Sequence, residues 1–80
     1  MATDWNTCRA VERDPDKLSG ALIFRNTRIP VATLFENLKR GATIDQFLEW
    51  YPGATREQVE AVIEHEAREM KAPVLQELRL

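Results

Sequence analysis

Residues 30–48 read Pro30-Val31-Ala32-Thr33-Leu34-Phe35-Glu36-Asn37-Leu38-Lys39-Arg40-Gly41-Ala42-Thr43-Ile44-Asp45-Gln46-Phe47-Leu48, and they decide the fold. Val31, Leu34, Phe35 and Leu38 recur at the i, i+3, i+4, i+7 spacing of one helix face. Pro30 suits the first turn of that helix, where its missing N–H has no partner to lose. Gly41 stops the helix by taking a left-handed conformation. A second helix starts at Thr43, whose hydroxyl caps it, and Gln46 three residues on completes a capping box. Ile44, Phe47 and Leu48 form its buried face.

Toward the C-terminus, Tyr51-Pro52-Gly53 ends the second helix, and Thr55 with Gln58 opens a third by the same capping pattern. Val59, Val62, Ile63 and Ala67 repeat along one face as far as Met70. The expected helices are therefore about 31–40, 44–50 and 56–70. A short connection containing a glycine joins the second and third, as in a helix-turn-helix. Pro73 is expected to break or kink the third helix. That would leave 71–80 as a separate apolar tail carrying Val74, Leu75, Leu78 and Leu80.

Toward the N-terminus, Ala21-Leu22-Ile23-Phe24-Arg25 has the β-branched and aromatic content of a strand. Arg9-Ala10-Val11-Glu12-Arg13 is its expected partner, across a wide loop opened by Asp14-Pro15-Asp16 and closed by Ser19-Gly20. This hairpin occupies 9–25, behind an N-terminal segment 1–8. Asn26-Thr27 forms a second turn, with Asn26 suited to positive φ. The expected architecture is one mainly α domain over 9–70: a three-helix core containing a helix-turn-helix, preceded by a short β-hairpin.

Several of these residues together resemble a known family. Asp14-Pro15, Gly20, Thr27-Arg28-Ile29-Pro30-Val31, Gly41, Tyr51-Pro52, Thr55 and Gln58-Val59 are similar to the domain-of-unknown-function family numbered 433. The resemblance runs from about Cys8 to Ala67, and the Thr-Arg-Ile-Pro-Val segment is its specific part. Where the family usually has glycine before that threonine, this chain has Asn26, the next best residue for a left-handed position. Members are small prokaryotic proteins with a homeodomain-like helix-turn-helix, many of them antitoxin-like and often encoded beside a PIN-like nuclease. The resemblance implies the antitoxin half of a toxin–antitoxin pair that binds the nuclease directly and also represses its own operon.

Composition sets the outer bounds. At 80 residues, 44% hydrophobic and 30% charged, the chain is globular rather than disordered. A domain of this size buries only about 60% of its unfolded surface, so a partner subunit would help its thin core, and a homodimer is expected. The net charge of −2 argues mildly against a free-standing nucleic-acid binder. Its distribution is uneven: Lys17, Arg25, Arg28, Lys39 and Arg40 face only Glu36 between 17 and 41, and an acidic excess follows. A single cysteine, Cys8, forms no internal disulfide and reads as a small apolar residue. The opening residues lack a signal-peptide pattern, and no apolar run approaches a bilayer span, so a cytoplasmic protein without a membrane partner is expected.

The candidate DNA-binding residues are Arg25, Arg28, Lys39, Arg40 and Arg56. Thr55, Arg56 and Gln58 open what would be the recognition helix. Glu57, Glu60, Glu64, Glu66 and Glu69 oppose that role, because phosphate charge dominates DNA affinity. Arg28 is open to two readings, a phosphate contact or a structural tie to a carboxylate. The candidate partner-binding residues are Trp5, Met70, Val74, Leu75 and Leu78. Trp5 lies outside the expected elements and reads as an interface anchor, whereas Trp50 reads as closing the core under Pro52. His65 lacks convergent ligands and reads as solvated or partly packed. No catalytic set, metal site, phosphate-binding loop or cofactor pattern is found, which places an enzyme behind a toxin-binding protein, a transcriptional regulator and a general interaction subunit.

Overall fold

The computed structural model describes residues 4–78, with side chains through Met70. Two short antiparallel strands, β1 (Val11–Arg13) and β2 (Leu22–Phe24), precede three helices, α1 (Val31–Lys39), α2 (Ile44–Trp50) and α3 (Arg56–Leu78). This is the mainly helical architecture, three helices behind a two-strand hairpin, that the sequence predicts. Residues Trp5–Thr7 add a single 3-10 turn in front of the hairpin.

The hairpin pairs Val11 with Phe24, Glu12 with Ile23 and Arg13 with Leu22. Successive strand residues point to opposite faces, and Ile23 and Phe24 are both fully buried, so β2 is covered on both sides. The connecting loop opens where Asp14 Oδ1 accepts the N–H of Asp16. It closes through Leu18, Ser19 and Gly20, at φ 49°, 55° and 80°.

The turn after β2 is built by its own side chains. Asn26 takes φ 63°, as expected. The Thr27 hydroxyl donates to the Phe24 carbonyl and accepts the N–H of Ile29, and the Phe24 N–H donates to the Ile29 carbonyl. Pro30 then sits just outside α1, extended at φ −63° and ψ 139° and bridged to Ile23. Gly53, in the α2–α3 connection, packs so closely here that a Cβ would stand 3.3 Å from Ile29 Cδ1. The Thr-Arg-Ile-Pro turn and the Tyr-Pro-Gly turn, distant in sequence, therefore meet in the fold.

The helix ends follow their sequence signals. Gly41 takes φ 96°, and around it the N–H groups of Gly41 and Ala42 return to the carbonyls of Leu38 and Asn37. Thr43 with Gln46, and Thr55 with Gln58, both form complete reciprocal capping boxes. The core joins Cys8, Val11, Phe24, Val31, Leu34, Phe47, Ala54, Val59 and Val62. Phe47 is its centre, stacked on Tyr51 with ring centroids 4.8 Å apart and tilted against Phe24 at 6.1 Å.

Two expectations are overturned. The break at Pro73 is absent, and α3 is continuous through it to Leu78. A proline deletes one i→i−4 bond, here to the Glu69 carbonyl. Met70, Lys71, Ala72, Leu75 and Gln76 around it are strong helix formers, and propagating a helix is easier than nucleating a new one. Trp50 does not close the core under Pro52; it is 55% exposed. On a helix of seven residues Phe47 already fills the inward position, and Trp50, three residues on, lies at the solvent end.

Candidate functional site

The five candidate DNA-binding residues fall into two groups. Arg25 and Arg56 are engaged inside the domain. Arg25 donates from Nε to the Arg9 carbonyl and from Nη2 to the Val11 carbonyl, both at 2.8 Å, and its other nitrogen lies 4.0 Å from Glu12. It buttresses the hairpin. Arg56 pairs with Asp45 of α2 and, at 3.8 Å, with Glu60 one turn along α3. Arg28, Lys39 and Arg40 are exposed, and none forms a side-chain hydrogen bond or ion pair among the described residues. Of the two readings of Arg28, the structural tie is taken instead by Arg25.

Glu12 is the organiser that sequence reasoning missed. Its carboxylate accepts the N–H of Asn26 at 2.7 Å and faces both Arg25 and Lys17, the latter at 3.9 Å. Its signal was its place in β1, paired with the strand that runs into the left-handed turn at Asn26. Gln58 was read as a cap and as a residue opening the recognition helix; its amide in fact donates to the Arg25 carbonyl at 3.0 Å, joining α3 to the end of the hairpin.

Trp5 is not a free anchor. It opens the 3-10 turn, packs against the core and lies on His65. His65 is buried rather than solvated, and its Nε2 meets the Asp4 carbonyl at 2.5 Å. Trp5 and Leu22 line two depressions. One, of about 380 Å³, is polar and includes Asn6, Glu12, Arg13 and Arg25. The other, of about 290 Å³, is apolar and runs along Pro30, Val31, Ala32 and Phe35 to Glu66 of α3. Met70 is 64% exposed one turn further along α3. The side chains of Val74, Leu75 and Leu78 lie outside the described residues. Among the described residues no His, Cys, Asp and Glu cluster is arranged to hold a metal ion, and no helix is long and apolar enough to cross a membrane.

These surfaces belong to a domain of three helices behind a two-strand hairpin. The chain belongs to DUF433, described as a protein of unknown function, whose family model matches residues 11–65. It is similar in structure to a DUF433 member protein from Anabaena variabilis ATCC 29413, with 30% sequence identity and a TM-score of 0.65, over 89% of this chain and 69% of that one. No curated protein matches the chain.

Proposed function

We propose that this chain is a protein-binding module, the antitoxin-like half of a prokaryotic toxin–antitoxin pair, and that it acts as a homodimer holding a PIN-like nuclease. The family resemblance supplies the partner class. The observation that carries the reading is the course of α3. Because the helix is continuous through Pro73, positions 59, 63, 67, 70, 74 and 78 fall within about 100° of its circumference. All six are apolar. Val59 is fully buried and Ile63 packs on the core, whereas Met70 is exposed. Positions 74 and 78 continue the stripe along about 12 Å of helix after Met70, a length suited to a groove on a partner.

Charge favours a protein over a duplex as the main partner. Arg25 and Arg56 are occupied within the domain, and Glu57, Glu60 and Glu64 are exposed along α3. Arg28, Lys39 and Arg40, without side-chain partners among the described residues, favour a second, weaker activity, contact with operator DNA.

Co-expression with the product of the adjacent gene tests the main reading. The expected result is co-purification of the two chains and loss of the neighbour's nuclease activity in the complex. Truncation after Ala72 is expected to abolish capture while the melting temperature stays near that of the full chain. A full-length chain that neither captures nor inhibits the neighbour overturns the proposal.

A further inference from the structure

Where α1 turns into α2 there is an open depression of about 350 Å³, lined by Asn37, Arg40, Gly41, Ala42, Gln46 and Trp50. That volume lies at the small end of ligand sites. We propose that it binds an unpaired nucleotide, with the base stacked on the Trp50 indole and the phosphate held by Arg40.

Four observations converge on this ligand. Trp50 is 55% exposed although the domain has an apolar core to offer it. An exposed indole is a stacking platform that accepts any base. Arg40 lines the same depression, its exposed side chain has no hydrogen-bond or ion-pair partner among the described residues, and Lys39 precedes it in sequence. The two amides are half engaged in complementary ways. Asn37 donates its NH₂ to the Thr33 carbonyl and keeps its carbonyl oxygen for a donor. Gln46 uses its carbonyl oxygen to accept the Thr43 N–H and keeps its NH₂ for an acceptor. One donor and one acceptor beside a stacking face match the edge of a nucleobase. Finally, a Cβ placed on Gly41 would meet nothing within 4 Å, so the turn leaves the depression open.

The base must be unpaired, because a duplex keeps its faces stacked and withholds them from the indole. Glu36 and Glu49 are exposed on the same two helices and limit the local positive potential, so binding is weak and falls with salt. The site is independent of the toxin reading, since it uses neither α3 nor the apolar groove.

The test is tryptophan emission during titration with a single-stranded oligothymidylate, thymidine monophosphate, and a duplex of the same length. The oligonucleotide is expected to quench emission of the full chain, and the quench is expected to vanish in Trp50→Phe, leaving the Trp5 signal unchanged. Trp50→Ala and Arg40→Ala, measured by anisotropy of a labelled strand, are expected to weaken binding roughly tenfold or more, the scale of one lost base stack. The duplex is expected to bind more weakly than the single strand. Saturable binding of the monophosphate with the same residue dependence assigns the site to free nucleotides as well; its absence assigns it to strands. Two results overturn the proposal. One is oligonucleotide affinity unchanged in both variants. The other is no oligonucleotide binding by the full chain, including the case where Trp50→Ala disrupts capture of a protein and marks Trp50 as a protein anchor.

Discussion

The indole of Trp5 lies on the imidazole of His65, with ring centroids 5.0 Å apart and planes inclined by 34°. The same histidine meets the Asp4 carbonyl through Nε2, and the Asp4 N–H donates to Glu69 one turn further along α3. The N-terminal segment is thereby latched to the middle of α3, and Trp5 forms a wall shared by the polar and apolar depressions.

Replacing His65 with alanine removes the ring contact and the hydrogen bond together. The expected loss is about 1–3 kcal/mol. Thermal melting should fall by roughly 4–8 °C for each of those kcal/mol, and amide exchange at residues 4–8 should accelerate. An unchanged melt with unchanged exchange would show that the segment is held by something other than this latch.

Gln58 and Gln46 offer an internal comparison. Both complete capping boxes, but only Gln58 also donates to the Arg25 carbonyl. Gln46→Ala is expected to cost about 0.5–1 kcal/mol, and Gln58→Ala about 1 kcal/mol more. Urea denaturation of the two variants side by side reads the difference. Equal losses would remove the cross-link from hairpin to α3 as a stabilising contact.

Phe47 is fully buried between Phe24 and Tyr51. Phe47→Ala is expected to cost about 3–5 kcal/mol, against a total near 4–12 kcal/mol for a domain of this size. The variant should have lost sharp side-chain resonances by 37 °C. Phe47→Leu, which keeps most of the volume, should retain them.

Most of the fold was legible because it is written in local codes. Period-3.6 apolar spacing marked all three helices, two Thr-x-x-Gln pairs marked two of their starts, and Gly41 and Asn26 marked the left-handed turns. What failed were judgements that weigh one residue against its surroundings. Pro73 carries a strong local signal that its neighbours override. Trp50 is apolar in type and exposed in fact, since burial depends on which residue reaches the inward position first. The basic residues show the same limit at the site. Their positive charge was visible in the sequence, but that Arg25 and Arg56 face carbonyls and carboxylates depends on tertiary placement. The Trp5–His65 latch spans the length of the domain and left no trace in any local pattern.

The two groups of basic residues yield the last prediction. Arg25 holds two backbone carbonyls of β1 and its approach and stands near Glu12, so Arg25→Ala should destabilise the hairpin. Its side chain is 48% exposed, and water replaces part of what is lost, so the expected cost is about 1–2 kcal/mol. Lys39 and Arg40 touch no partner among the described residues, and changing both to alanine should leave stability within about 0.5 kcal/mol of the wild type. Any affinity for duplex DNA should respond in the opposite order. Each phosphate contact contributes about 0.9 to the slope of log affinity against log salt. The double variant should flatten that slope by as much as about two, and Arg28→Ala by as much as about one. Arg25→Ala should leave the slope unchanged below its melting temperature. Anisotropy titrations of a labelled operator fragment at several salt concentrations, paired with denaturation of each variant, separate the two roles. A salt slope that falls with Arg25 and not with Lys39 and Arg40 would show that the hairpin arginine leaves its carbonyls to meet phosphate, and that the exposed pair serves another partner.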